Sequence, residues 1–171
     1  MVYDAFLFYN ELDILELRLE LLNDKVDYFV LSECDYTFAG NPKPFYFEDN
    51  KDRFSKYLHK IIHVRNYNTA EIDDIKNQHS GKQKEIFDKI LEYYSTIKNT
   101  PETDFGKPQW CRDFLHREFV KLGLSDCLDN DIIIFGDLDE IPNPEMLDFN
   151  RGTYIHELHH MNFSIDLENI S

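Results

Sequence analysis

Long hydrophobic runs are missing from this sequence of 171 residues. No apolar stretch approaches the roughly 18 consecutive residues that suggest a membrane-spanning helix, and the N-terminus has no basic start typical of a signal peptide. We therefore expect a soluble chain without a membrane span. The expected location is the cytoplasm, either of the source cell or of a host cell.

Cysteine is also scarce. The three residues Cys34, Cys111 and Cys127 are an odd number, and none of them forms a Cys-x-x-Cys pair. This spacing argues against a disulfide framework and against a zinc knuckle. The sequence predicts reduced thiols.

Basic residues are few in comparison with acidic ones. The chain has 18 Lys and Arg against 33 Asp and Glu, which gives a formal net charge of −15. Such a surface repels nucleic acid and anionic lipid, so neither is expected as a partner. An anionic ligand would need a cation to bridge it to these carboxylates. The charge leaves the oligomeric state open.

Aromatic and aliphatic residues are plentiful enough for a folded core, at 15% and 42% for aromatic and all hydrophobic residues. The length suits one domain. Hydrophobic periodicity predicts strands at residues 2–9, 26–31, 61–64 and 132–135. It predicts helices at 12–22, 49–58, 71–98 and 110–122, the third interrupted near residue 80. Alternating strands and helices predict an α/β three-layer sandwich with a mostly parallel central sheet.

Acidic residues follow three of the predicted strands, at residues 10–13, at Glu33 and at residues 136–140. Ligands of open parallel sheets bind beyond the carboxyl ends of the strands. Like charges crowded at this edge are unfavourable unless a cation compensates them. A hard divalent cation held by oxygen ligands, Mn²⁺ or Mg²⁺, is the simplest compensation.

The acidic turn of residues 137–140 is the strongest candidate for this metal site. Asp137 and Asp139 are two residues apart, so their side chains point the same way in extended chain. A metal held there keeps open positions for the diphosphate of a nucleotide sugar, and Gly136 allows close approach of backbone and ligand. Asp-x-Asp also occurs by chance in acidic loops, and its place after an apolar strand favours the metal site.

Several stretches together resemble glycosyltransferase family 17, the β-1,4-mannosyl-glycoprotein β-1,4-N-acetylglucosaminyltransferase-like proteins. The matching stretches are residues 4–13, 16–19, 26–33, 37–44 and 131–144. The resemblance implies a GT-A-like nucleotide-diphospho-sugar transferase fold and a UDP-N-acetylglucosamine (UDP-GlcNAc) donor. It also implies a β-linked mannose or similar glycan as acceptor, with inversion at the anomeric carbon. Because the family usually continues well beyond the last matching stretch, we expect residues 1–171 to be one domain lacking its C-terminal part.

The resemblance also implies roles for particular residues. Asp137 and Asp139 correspond to the metal and donor acids, with Asp139 favoured for direct coordination. The other residues expected near the donor are Asn10, Glu11, Asp13, Glu33 and Arg112. Glu11 and Asp13 could instead favour a helix N-terminus, Arg112 could form a surface ion pair, and Trp110 beside it fits core packing better than a sugar platform. No residue is assigned as the general base.

Two other functions remain open. Residues 156–160 fit His-Glu-x-x-His, the zinc motif of metalloproteases, which requires a helix. The flanking residues are typical of an extended strand, which disfavours this alternative. A second alternative is a non-catalytic module that binds a nucleotide sugar or another protein.

Overall fold

A four-stranded parallel sheet forms the centre of the protein. The structure is a computed structural model that describes residues 1–67, 79–98 and 108–147. The strands are β1 (Val2–Phe8), β2 (Tyr28–Cys34), β3 (Ile61–Asn66) and β4 (Ile132–Asp137), in the spatial order β3-β2-β1-β4. All three pairings are parallel. The predicted sheet is confirmed, and the carboxyl ends of all four strands meet at one edge.

Four α-helices accompany the sheet in the described residues: α1 (Leu12–Leu22), α2 (Tyr46–Asp49), α3 (Gly81–Lys98) and α4 (Pro108–Gly123). The first and last correspond closely to predicted helices. For the helix predicted at 71–98, the described helix begins at Gly81, and residues 71–78 of that prediction lie outside the described residues.

The single helix predicted at residues 49–58 is wrong. The chain instead forms the short α2 and two 3-10 turns, Lys51–Phe54 and Leu58–Lys60. At Asn50 the backbone leaves the helical conformation, with φ −120° and ψ 18°. Phe47, Phe54 and Tyr57 are all buried. These aromatic anchors hold an irregular path against the sheet that local helical propensity does not reveal.

One layer covers the face of the sheet to which Phe6 and Phe8 point. Leu15, Leu19 and Leu22 of α1 pack there with Phe47 and Phe54. Side chains alternate along a strand, so Tyr3 and Ala5 of β1 face the opposite side. There they meet the second core, formed with α3 and α4. The predicted three-layer α/β sandwich is therefore confirmed, and it is compatible with a GT-A-like fold.

The end of α4 approaches the sheet very closely. A Cβ atom at Gly123 would lie 2.4 Å from Cγ1 of Val30 and 2.8 Å from Cγ2 of Val64. The helix ends at Gly123 as the sequence predicts, and the missing side chain lets α4 lie directly on β2 and β3. This contact sets α4 along one wall of the space beyond the strand ends.

Candidate functional site

The acidic turn lies at the carboxyl end of β4 and folds back on itself. The N–H of Glu140 donates to the carbonyl of Asp137 at 3.0 Å. The Glu140 carboxylate accepts the N–H of Asp137 at 2.9 Å. A Cβ atom at Gly136 would lie 2.8 Å from Oε2 of Glu140. The nearest neighbour of a side chain at this position would therefore be the turn's own carboxylate.

A buried arginine holds the backbone of this turn. Arg18 of α1 and Asp4 of β1 are both fully buried, and their paired nitrogen and oxygen atoms lie 2.8 Å apart in both contacts. Nη1 of Arg18 also donates to three carbonyls, those of Asp137 (2.8 Å), Leu138 (2.9 Å) and Glu140 (3.2 Å). Burial removes water from the Arg18 guanidinium, and these hydrogen bonds take its place. They also attach the turn to α1 and β1.

The sequence indicates the buried ion pair of Arg18 and Asp4, although both residues lie within apolar segments. Arg18 stands on the apolar stripe of α1 beside Leu15, Leu19 and Leu22, and Asp4 stands inside an apolar strand. Charged residues are rarely fully buried unless they are paired. One charge of each sign on two apolar faces therefore indicates a buried ion pair, although it does not predict the bonds to the turn.

A cleft of about 700 Å³ opens beside the turn, a size typical of small-molecule sites. Its walls are the ends of β1 and β4, the loop around residues 36–41 and one face of α4. Four of the predicted site residues line it: Glu11, Arg112, Asp137 and Asp139. Asp139 is exposed, while the intervening Leu138 is buried. The turn thus directs its aspartates toward the cleft and its leucine into the core.

The three remaining predicted residues do not line this cleft. Asn10 is exposed. One Asp13 oxygen lies 2.6 Å from Nη2 of Arg53 in an exposed ion pair. Glu33 is fully buried. Their predicted proximity to a donor stays a prediction, which contacts made on ligand binding would have to support.

Glu33 belongs to a closed polar cluster at the ends of β2 and β3. One of its oxygens accepts the N–H of Phe47 at 3.2 Å and lies 3.5 Å from Nζ of Lys43. The other lies 3.0 Å from Nε2 of His63. Burial lowers the pKa of Lys43, and the Glu33 carboxylate acts in the opposite direction. The carboxylate is thus compensated by protein groups.

Glu11 and Arg112 reach the cleft but also stabilise its walls. Oε2 of Glu11 accepts the N–H groups of Tyr9 at 3.2 Å and Asn10 at 2.9 Å. Nε and Nη2 of Arg112 donate to the carbonyl of Phe38 at 3.0 and 2.9 Å. Both residues therefore shape the cleft in addition to facing it.

The loop around Gly40 fits tightly against Arg112. The Gly40 backbone has φ +88°, and a Cβ atom there would lie 2.9 Å from Cζ of Arg112. Glycine meets both requirements, since it adopts positive φ readily and leaves room for the guanidinium. Nearby, Trp110 meets the Phe38 ring edge to face at 5.4 Å and stays 41% exposed. The interpretation of Trp110 as a core residue is wrong.

Arg117 is the cleft residue that sequence reasoning missed. Its Nη1 lies 3.1 Å from Oδ1 of Asp137, and its Nε donates to Oδ2 of Asp113 at 3.1 Å. Burial acts to lower the pKa of Arg117, but the two carboxylates outweigh it and raise the pKa. The signal was a polar stripe at residues 112, 113, 116 and 117, which faces away from buried Leu115 and Phe119. Of this polar stripe, only Arg112 entered the prediction.

His116 and Cys34 also line the cleft. Nε2 of His116 donates to the carbonyl of Ser32 at 2.8 Å. Burial lowers the pKa of His116, an effect that this hydrogen bond partly offsets. None of the three cysteines, all within the described ranges, forms a disulfide. Burial raises the pKa of the Cys34 thiol to about 12, so it is not a nucleophile at neutral pH.

The described side chains supply part of a metal site. In the part of the chain that the structure describes, no group of three or more His, Cys, Asp or Glu side chains could hold a metal ion. Asp137 and Asp139 offer two carboxylates at the cleft. Oδ1 of Asp137 is buried and accepts no hydrogen bond from the described residues. This set fits a cation such as Mg²⁺, which often takes one or two carboxylates and completes its shell with phosphate and water.

Comparison with known proteins identifies the class. The family model of glycosyltransferase family 17 matches residues 1–105, more than half of the chain. The protein therefore belongs to glycosyltransferase family 17, as its sequence resemblance predicts. The matched range includes β1, β2 and β3, and the acidic turn follows it. Neither the curated proteins nor the solved structures yield a match.

Two further expectations bear on the chain as a whole. Across residues 1–67, 79–98 and 108–147, no helix combines the length and the apolar character that crossing a membrane requires. The His-Glu-x-x-His motif at residues 156–160 lies outside the described residues. The metalloprotease alternative gains no support from family membership.

Proposed function

We propose that this glycosyltransferase moves N-acetylglucosamine from UDP-GlcNAc to a β-linked mannose or similar glycan, with inversion and with Mn²⁺ or Mg²⁺ at the acidic turn. Family membership supports transfer from a nucleotide sugar to a glycan. The GlcNAc donor, the mannose acceptor and inversion are what the sequence resemblance implies. One structural observation supports the place of the metal and the diphosphate. Asp137 and Asp139 line a cleft at the carboxyl end of a parallel strand, and Arg112 and Arg117 line the same cleft.

Each residue of the site would contribute differently to the binding of the metal and the donor. Asp139 is exposed and would coordinate the metal directly, with Asp137 beside it. A bound divalent cation acts as a Lewis acid and neutralises charge on the leaving diphosphate. Arg18 fixes the turn backbone through three carbonyls. Little reorganisation of the aspartates is then needed when the ligand binds.

Titration calorimetry with UDP and UDP-GlcNAc, with and without Mn²⁺, tests this proposal. We expect Mn²⁺ to strengthen binding at least about tenfold, the equivalent of roughly 1.4 kcal/mol. Asp139→Asn should abolish this gain. Asp129→Asn is the matched control, because Asp129 is exposed and does not line the cleft. Binding that is equal in all three proteins and indifferent to Mn²⁺ would overturn the proposal.

Release of UDP in the presence of mannose-containing glycans separates transfer from simple binding. Turnover with UDP-GlcNAc, and much less with UDP-galactose or GDP-mannose, is the expected result. Mn²⁺-dependent UDP binding without turnover on any glycan would instead support a non-catalytic nucleotide-sugar-binding module. The cytoplasmic location predicted from the sequence stays a prediction.

A further inference from the structure

Arg117 occupies an unusual position between two carboxylates of different surroundings. Its Nε is bound to Asp113 on the preceding turn of α4. Its two Nη atoms face Asp137, at 3.1 Å from Oδ1 and 3.5 Å from Oδ2. The Arg117 side chain is 40% exposed and lines the cleft. The guanidinium is thus hydrogen-bonded to its own helix through Nε and contacts the acidic turn through its two Nη atoms.

The contact with Asp137 contains the longer of the two hydrogen bonds that Arg117 donates. Nη2 donates to Oδ2 of Asp137 at 3.5 Å, and Nη1 lies 3.1 Å from the buried Oδ1, which accepts no hydrogen bond from the described residues. Nε donates to Oδ2 of Asp113 at 3.1 Å. Arg117 therefore makes its shorter hydrogen bond to Asp113 and its longer one to Asp137. A competing cation would break the second contact more readily than the first.

We infer that Arg117 is a counter-ion that exchanges partners. Without ligand it neutralises Asp137, and when a divalent cation and a nucleoside diphosphate bind, it leaves Asp137 and pairs with the diphosphate while Asp113 keeps it in place. This inference rests on the proposed function, because it requires a cation at Asp137. A guanidinium suits the second partner, since its forked N–H groups match phosphate oxygens.

The electrostatics of the cleft favour such an exchange. A cation at Asp137 repels the guanidinium and weakens its attraction to that carboxylate. The diphosphate brings negative charge to the same place, so Arg117 gains a new anion as it loses the old one. In a chain of net charge −15, Arg117 keeps the acidic turn from carrying two uncompensated aspartates. It also supplies positive charge where a diphosphate would meet the wall of the cleft.

Two binding measurements on Arg117→Gln test this inference, because they should move in opposite directions. Without nucleotide, Mn²⁺ should bind about three- to fivefold more tightly to the variant, since removal of a partly exposed ion pair removes a modest competitor. At saturating Mn²⁺, UDP should bind about tenfold more weakly, since a charge-assisted contact is lost. Free Mn²⁺ is followed by its paramagnetic resonance signal, and UDP by calorimetry.

Three further variants separate this exchange from general effects. Arg65→Gln removes the same charge at the exposed end of β3, away from the cleft, and should change neither affinity more than about twofold, since salt screens distant exposed charges. Arg117→Lys should regain part of the UDP affinity. Asp113→Asn should weaken UDP binding and leave Mn²⁺ binding nearly unchanged. Equal thermal unfolding of the variants confirms that each is folded.

The outcomes distinguish this inference from the proposed function. If Mn²⁺ binds in an Asp139-dependent way but no more tightly to Arg117→Gln than to the wild type, the partner exchange is wrong and the metal site stands. Unchanged UDP affinity in Arg117→Gln would likewise overturn the exchange. If the wild type binds no Mn²⁺ even with UDP present, both the metal site and the exchange are wrong.

Discussion

Each half of the carboxyl edge of the sheet has acidic side chains at its strand ends. The two halves differ in whether these side chains face a cleft or are enclosed by protein groups. At the ends of β1 and β4, Asp137 and Asp139 face an open cleft. At the ends of β2 and β3, Glu33 is fully buried beneath the segment that contains α2. Both halves lie beyond the carboxyl ends of parallel strands, where ligands of such sheets bind. One half is open to a ligand, and the other is closed by protein groups.

The difference lies in what the basic side chains of each half bind. In the open half, the buried Arg18 binds backbone carbonyls of the turn and the remote Asp4. The partly exposed Arg117 approaches Asp137 itself. In the closed half, Lys43 and His63 approach the Glu33 carboxylate itself. Asp137 therefore stays at the cleft beside a partly exposed partner, whereas Glu33 is enclosed with its partners.

Disruption of the buried Arg18–Asp4 ion pair of the open half should have the largest effect on stability. Arg18→Met leaves Asp4 charged and buried, and we expect the free energy of unfolding to fall by about 3–5 kcal/mol. Urea denaturation at pH 7 measures this loss. A loss below about 1 kcal/mol would show that the pair contributes little to the fold.

The double variant Asp4→Leu with Arg18→Met sharpens the same comparison. Replacement of both charges by apolar groups often recovers the stability lost when one partner is removed. We expect a variant more stable than Arg18→Met whose Mn²⁺-dependent UDP binding stays weak, because the turn backbone has lost its three hydrogen bonds. Full recovery of UDP binding would mean that Arg18 does not position the turn.

Substitution in the closed half should affect stability and leave ligand binding unchanged. Glu33→Gln keeps the shape of the side chain but leaves Lys43 buried without its counter-ion. We expect a loss of about 2–3 kcal/mol in the free energy of unfolding, the cost typical of a buried charged group that loses a partner. UDP affinity with Mn²⁺ should match that of the wild type.

A different result for Glu33→Gln would break the comparison between the two halves. If the variant were as stable as the wild type but bound UDP weakly, Glu33 would be the donor-binding residue that its sequence position implies. Glu48→Gln is a suitable control, because Glu48 is 40% exposed and contacts the same histidine, His63. That control should change both stability and UDP affinity only slightly.

The smallest expected effect concerns pH, at the contact between α4 and β2. Burial lowers the pKa of His116, with the Ser32 hydrogen bond and Asp113 acting against it and Lys43 and Arg117 acting with it. The unfolded chain thus binds a proton more readily than the folded one. Stability is fully present above the ordinary histidine pKa of about 6.5 and falls as pH decreases below it.

Urea denaturation at pH 7.5 and pH 5.5 checks this sign. The free energy of unfolding of the wild type should fall more over this interval than that of His116→Gln. The pKa of His79 is also lowered by burial, but His79 is present in both proteins and cancels in the difference. An equal or larger decrease in His116→Gln would show that His116 does not destabilise the fold at low pH.

Local patterns in the sequence determined most of the framework. Short apolar runs predicted all four strands, and leucines at helical spacing predicted α1, because periodicity reflects which face of an element is buried. The position of the acidic turn after β4 followed from the same reading. The sequence resemblance supplied the family, which the family model confirms over residues 1–105.

The irregular conformation of the segment between β2 and β3 could not be predicted from hydrophobic periodicity. Phe47, Phe54 and Tyr57 are seven and three residues apart, a spacing that a helix would also give, yet the chain leaves the helical conformation at Asn50. The predicted helix at residues 49–58 therefore reflected the local pattern alone. Tertiary packing overrides propensity in such short segments.

Only the tertiary structure decided which acidic side chains are accessible to a ligand. Arg18 and the turn that it holds are separated by about 120 residues, and Glu33 and His63 by 30. Charges compensate one another according to distance in space, which sequence separation does not report. The sequence by itself determined that acids lie at the strand ends of a glycosyltransferase fold. The packing of α1, α4 and the segment over β3 determined that Asp137 and Asp139 face a cleft while Glu33 is enclosed.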